Sequence, residues 1–244
     1  MTDKTIEILD NLAHAHLRIL PAISSRWLPS RQIEQIAPSE ILEAAREYPV
    51  FLTKCSQTGQ FQFSVILGLY NDENLYLDED GVWRARYIPL NVRRNPFGLG
   101  VGANGSGDGP VITIDMASAR LSSEEGAPIF LEQGGFAPSL GEMQEVLGRL
   151  VVGVDQTRAL VNQLLEFDLI EPVQIELKLA NQTKLNFEAL YSVNEDKLRE
   201  LDDQSIGQLN RMGVLKYIHL LGASVSNMQS LIHRKNAQIE ASDK

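Results

Sequence analysis

SLGEMQEVLGRLVVGVDQTRALVNQLLEF (139–167) and, after a short gap, VQIELKLANQTKLNFEALYSV (173–193) decide how this chain is organised. In the first stretch Met143, Val146, Leu147, Leu150, Val154, Leu160, Val161 and Leu164 recur at three-and-four spacing. This predicts a single amphipathic helix of about 28 residues over 140–167. Ser139 is placed to cap it, with Glu142 as the reciprocal partner of a capping box. Gly153 marks a bend or a close packing contact. In the second stretch the period changes. After Pro172 ends the turn, Ile175, Leu177 and Leu179 alternate with Glu176 and Lys178, which predicts two antiparallel strands around Ala180-Asn181-Gln182.

Upstream, residues 1–13 read as a flexible polar lead and 14–38 as an extended arm interrupted by Pro21 and Pro29. A short helix follows over 41–46, with Ser39 as its N-cap and Ile41, Leu42 and Ala45 on its buried side; Tyr48-Pro49 stops it. YPVFLTK, QFQFSVILGLY and NLYLDEDGVWR predict a three-stranded meander, and Asp80-Gly81 a hairpin turn between NLYLDE and VWRARY. LNVRRNPF predicts a helical turn or two before Pro96. GLGVGANGSGDGP (98–110) offers few side chains to anchor it and reads as a mobile or wrapping loop before the strand VITIDM; ARLSSEEGAPIF is turn-rich. Downstream, helices are expected over 196–201, from Asp203 to a C-cap at Gly213, and from Leu215 onward with a break near Gly222. The order of sheet, long helix, hairpin and helices predicts an α+β fold, mostly antiparallel sheet with a long packed helix and C-terminal helices. One domain is expected over 14–235, with a polar tail at 236–244.

The chain has 244 residues, 43% of them hydrophobic and 22% charged, enough to close a core without disulfides or a structural metal. Lys and Arg number 22 against 32 Asp and Glu, and a net charge of -10 disfavours a general affinity for nucleic acid. The only cysteine, Cys55, leaves no internal disulfide and no cysteine-ligated zinc site. Asp3, Lys4, Glu7 and Asp10 interrupt the first ten residues, so no secretory signal is expected there, nor any membrane span elsewhere. The cytoplasm is the expected compartment.

Arg84, Arg86, Arg93 and Arg94 cluster around Trp83, Tyr87 and Phe97. Guanidinium forks bind carboxylate or phosphate and stack on rings, so these seven residues are the candidate ligand-binding set. The competing role is structural, with the arginines paired to Asp78, Glu79, Asp80 and Asp115. Arg84 and Arg86 are expected on one strand face. His14 and His16 alternate in an extended segment, but no compact spacing selects a third ligand from His219, His233 or a carboxylate. His219 reads as a packing residue, Cys55 as partly buried packing, and Met143, Met212 and Met228 as core. Asp115, Glu124 and Glu125 read as solvated carboxylates or loop caps. The glycine-rich stretch lacks the following lysine and helix of a phosphate-binding loop. No cofactor and no metal site is assigned.

EAAREYPVFLTK, FQFSVILGLYNDENLYLDEDGVWRARYIPLNVRRNPF, LSSEEGAPIF and EALYSVNEDKLRELDDQSIGQLNRMGVLKYIHLLGASVSNMQSLI resemble the SapC family of bacterial proteins, not the peptide-uptake permease of similar name. The resemblance runs from His14 to about Leu231, and it implies soluble proteins encoded beside flavin-dependent halogenases, cupin-like hydroxylases and TonB-dependent receptors. The leading expectation is a cytoplasmic accessory or binding protein for a small anionic ligand, a peptide or an enzyme partner such as a flavin-dependent halogenase. It would be linked to amino-acid or peptide modification or uptake. The alternatives are an enzyme acting on a peptide or amino-acid substrate, metal assisted through His14 and His16, and a structural homo-oligomer, in the simplest case a homo-dimer.

Overall fold

A computed structural model describes residues 5–21, 31–101 and 110–242. In chain order it contains β1 (Ile6–Ile8), β2 (Arg18–Ile19), β3 (Ile33–Ile36), a 3-10 turn (Pro38–Glu40), α1 (Ile41–Ala44), β4 (Val50–Lys54), β5 (Phe61–Ile66), α2 (Leu90–Arg93), β6 (Phe97–Val101) and β7 (Pro110–Asp115). There follow β8 (Leu121–Ser122), β9 (Ala127–Pro128), α3 (Pro138–Glu166), β10 (Ile170–Lys178), β11 (Lys184–Val193), α4 (Glu195–Glu200), α5 (Asp203–Arg211), α6 (Val214–Ser224), a 3-10 turn (Val225–Asn227) and α7 (Met228–Ser242). This is the α+β arrangement expected, with antiparallel sheets, one long helix and a C-terminal helical cluster. Residue contacts divide it into two compact units. One comprises Met1–Pro29, Leu77–Arg84 and Leu90–Val151, the other Ser30–Tyr76, Ala85–Pro89 and Val152–Lys244, so the division falls within α3.

In the first unit β7 is the centre of the sheet β1-β7-β6, and β2 the centre of a smaller one, β8-β2-β9. Ile114 of β7 is fully buried with Leu17, Leu90, Phe97, Ile129 and, from the first half of α3, Leu140, Met143, Val146 and Leu147. β1 corrects the reading of its residues as part of a loose lead: Ile6 and Ile8 pair with Asp115 and Thr113 of β7. All three β1 residues are exposed, so backbone pairing holds them and no apolar alternation announces the strand. Part of the expected glycine loop is also strand. Gly98 and Gly100 lie in β6, where a Cβ on either would come within 2.9 Å of Thr113, so this close cross-strand approach needs glycine. Residues 102–109 of that stretch lie outside the described residues. The expected strand NLYLDEDGVWR is reduced to isolated bridge residues, with Leu77 paired to Trp83 around Gly81 at φ 72°.

The second unit is built on the antiparallel sheet β10-β11-β4-β5-β3. The third strand of the expected meander is β3, from the supposed arm, and not the segment after β5: Ile33 pairs with Ile66 and Ile36 with Phe63. The hairpin β10–β11 turns where expected, although Pro172 lies inside β10 opposite Tyr191 and ends nothing. α6 packs on β4 and β11, burying Val214, Ile218 and Leu221. Its last residue, Ser224, accepts the Val50 amide at 3.0 Å. The break between the final helices is the 3-10 turn at Val225–Asn227, three residues later than expected from Gly222. α1 buries Ile41 and Ala44, while Leu42 is exposed, because a 3-10 turn precedes the helix and rotates its register. Ser39 lies inside that turn and caps nothing; Glu40 closes it by accepting the Ala37 amide at 2.6 Å. Ser139 likewise lies inside α3, where its hydroxyl donates to the Pro128 carbonyl at 2.5 Å.

Gly153 is a packing contact. A Cβ there would stand 2.6 Å from the Cβ of Ala37. Gly153→Ala should gain about 1 kcal/mol of helix propensity but lose about 2 kcal/mol to overpacking, giving a lower urea midpoint. Combining it with Ala37→Gly should recover the loss, and strictly additive effects of the two substitutions would refute the contact.

Candidate functional site

The seven residues of the arginine and aromatic set divide between the units. Trp83, Arg84, Arg93, Arg94 and Phe97 belong to the first, Arg86 and Tyr87 to the second. In the first unit Asp78 organises the turn. Its carboxylate accepts the Val82 amide at 2.7 Å and the Arg84 Nε at 2.5 Å. The Val82 amide, and then Arg84, hold the Asp78 carboxyl below its ordinary value. Trp83 is buried beside this turn. α2 buries Leu90 and Val92 and so leaves Arg93 half-buried at its end. Arg94 folds back, its Nε donating to Asn91 Oδ1 and a terminal NH to the Phe97 carbonyl, each at 2.9 Å. Phe97 is core.

In the second unit the amides of Arg86 and Tyr87 both donate to Glu47 Oε2, at 2.8 and 3.1 Å. The Tyr87 hydroxyl donates to Glu40 Oε1 at 2.9 Å, and the Tyr87 carbonyl accepts the Tyr48 hydroxyl. The Arg86 side chain is exposed. Residues 84–86 are irregular, so Arg84 and Arg86 do not share a strand face. Among the described residues, only Asp78 of the expected acids pairs with one of these arginines; Asp115 instead accepts the Ala117 amide. Neither the Arg86 nor the Arg93 guanidinium has a hydrogen bond or acidic partner among the described residues.

Arg120 is a residue that the sequence did not single out. It is 4% exposed and pairs with no carboxylate among the described residues; its guanidinium donates to the carbonyls of Leu20 at 2.7 Å, Arg93 at 2.8 Å and Asn95. Burial lowers its pKa to about 10, which leaves it charged at neutral pH. One arginine in a turn-rich stretch carries no pattern that could have revealed this.

The histidines do not converge. His14 is buried, with Nε2 3.3 Å from Glu7 and Nδ1 3.0 Å from the Asp10 amide, whereas His16 is exposed in the same turn. Among the described residues no group of three His, Cys, Asp or Glu side chains is placed to hold a metal ion. His219 and Met212 are exposed, not packed, while Met143 and Met228 are buried as expected. Glu124 and Glu125 are exposed, and their amides donate to Ser122 Oγ.

A groove of about 530 Å³ opens in the second unit between the β4–β5 hairpin and the later turns of α3, lined among others by Lys54, Cys55, Phe61, Val154, Thr157 and Leu165. Cys55 begins the hairpin turn, with its amide bonded to the Gln60 carbonyl and its carbonyl to the Gly59 amide. The Thr58 hydroxyl, then the Thr58 and Gln57 amides, favour the thiolate and hold Cys55 below an ordinary thiol. None of the seven residues lines this groove.

The SapC family profile matches residues 9–231. The chain belongs to the SapC family. No curated protein and no solved structure matches it. The matched region of this SapC-family chain takes in all seven arginine and aromatic residues, Arg120 and the groove around Cys55. Among its described residues no helix is long and apolar enough to cross a membrane.

Removing the Arg120 guanidinium would leave three carbonyls without their donor. Arg120→Leu should therefore destabilise the protein by about 3 kcal/mol in chemical unfolding, and a change within experimental error would exclude the tether. Alkylation of Cys55 by iodoacetamide should reach half its maximal rate at a lower pH than that of a cysteine in a short unstructured peptide, since a lowered pKa supplies thiolate at lower pH. Thr58→Val should move that midpoint upward; an unchanged midpoint would remove Thr58 as its cause.

Proposed function

We propose that this SapC-family chain is a cytoplasmic binding or accessory protein that recognises an anionic small molecule or an acidic peptide segment through its arginine and aromatic set. The observation that supports this is the unequal engagement of the four arginines. Arg84 is neutralised by Asp78, and Arg94 is turned onto Asn91 and the Phe97 carbonyl. Arg86 and Arg93 keep guanidinium groups with no acidic partner among the described residues. In a chain with ten more acidic than basic side chains, a cation left without a carboxylate is a group for which an anionic ligand is the natural partner.

Trp83, Tyr87 and Phe97 serve this role indirectly. Buried Trp83 and Phe97 fix the backbone on either side of the arginines, and Tyr87 is tied to Glu40. These three are positioning residues; Arg93 in the first unit is the ligand-contacting candidate, and Arg86 in the second is a separate candidate on its own unit. The acidic segment to be recognised would belong to a modifying enzyme or its substrate, with a flavin-dependent halogenase the partner that the family resemblance suggests.

Titration of the purified protein with an oligoglutamate peptide should show saturable binding that weakens with added salt, and an oligolysine peptide should not bind. Arg93→Ala should weaken the glutamate peptide by about tenfold, the loss of one charge-assisted contact. Binding that is absent, or unchanged in both Arg93→Ala and Arg86→Ala, would sink the proposal.

A further inference from the structure

The groove beside Cys55 has a chemistry of its own. At its β-hairpin end the Lys54 ammonium stands 5.1 Å from the centre of the Phe61 ring and 5.0 Å from that of Tyr191, two rings that meet edge to face at 4.9 Å. The rings orient the ammonium without neutralising it, and Lys54 has no carboxylate partner among the described residues. Arg158, on the opposite wall, adds a second cation, although Asp155 lies 3.3 Å from it.

The α3 wall is different in kind. Val154, Val161 and Leu165 line it; Val161 is buried, while Val154 and Leu165 remain about half exposed, an apolar strip open at two of its three positions. Between them Thr157, 9% exposed, lines the same wall. The volume of about 530 Å³ is within the range of small-molecule sites, which combine apolar walls with a few convergent polar groups.

We propose that this groove binds a small amphipathic carboxylic acid, with its carboxylate at the Lys54 ammonium and its hydrocarbon body along Val154, Val161 and Leu165. The site shares no residue with the arginine and aromatic set, so it stands or falls independently of the function proposed above.

Cys55 lines the groove and is the only thiol in the chain, which makes it a built-in reporter. Octanoate is the probe, and the reading is the rate of Cys55 alkylation by iodoacetamide at fixed pH. Octanoate should slow alkylation saturably, at least fivefold at saturation, while octylamine and octanol should give little protection. Lys54→Gln should raise the half-protecting octanoate concentration about tenfold. Val154→Trp, a change at an exposed position that fills the groove, should abolish protection with an unchanged circular dichroism spectrum, and Arg93→Ala should leave protection intact. No slowing by octanoate, equal slowing by octylamine, or unchanged protection in either groove variant would overturn the assignment. Loss of glutamate-peptide binding in Arg93→Ala with groove protection retained would separate the two sites.

Discussion

A fully buried carboxylate, that of Glu40, is the constraint on which the second unit depends. A carboxyl group without water must be met by donors, and the chain brings them from two distant places: the Ala37 amide and the Tyr87 hydroxyl. The first closes the 3-10 turn that leads β3 into α1. The second fixes residues 85–89, whose amides are also held by Glu47 and whose Tyr87 carbonyl accepts from Tyr48. Tyr48 in turn packs 4.5 Å from Tyr76, which donates to the Glu47 carbonyl at 2.8 Å. An acid, a tyrosine trio and a short crossing segment thus form one network in which each polar group has its partner, the condition under which buried polarity specifies a single arrangement.

The first unit solves the same problem with the opposite charge. Arg120 gathers three carbonyls from two stretches of chain, that of Leu20 from one and those of Arg93 and Asn95 from the other. An arginine suits this task because its planar fork presents several donors in fixed directions, where a lysine would offer one mobile point. The arginine and aromatic density of residues 83–97 therefore has two sources. Most of it is scaffold: Arg84 on Asp78, Arg94 on its own turn, Trp83 and Phe97 in the core. The two arginines left over stand out only after that scaffold has been subtracted.

The parts legible in the sequence were those whose pattern is repeated along the chain. α3 shows its stripe over eight turns, and β10–β11 its alternation over two long strands, so neither needed outside contacts to be recognised. Elements fixed by pairing alone were not legible. Every residue of β1 faces solvent, and β3 alternates over only four residues, too few to separate it from an arm. The register of α1 followed from Glu40 and its turn, a contact across sequence, and so Ser39 and Leu42 were misplaced. Of the site, the arginine set could be read as composition, but which guanidinium groups are already bonded could not. The groove escaped altogether because its walls come from residues about a hundred positions apart.

The overall charge bears on what such sites can hold. With a net charge of -10, a polyanion approaching this chain meets repulsion from many directions. That field fades beyond about 8 Å at physiological salt. A small monoanion is repelled far less by the distant carboxylates than an extended polyanion is. Once seated it interacts chiefly with what touches it: an ammonium over two rings and an apolar strip. An acidic background with isolated cations therefore weighs ligands by size as well as by sign, disfavouring a long polyanion far more than a short acidic segment or a small monoanion.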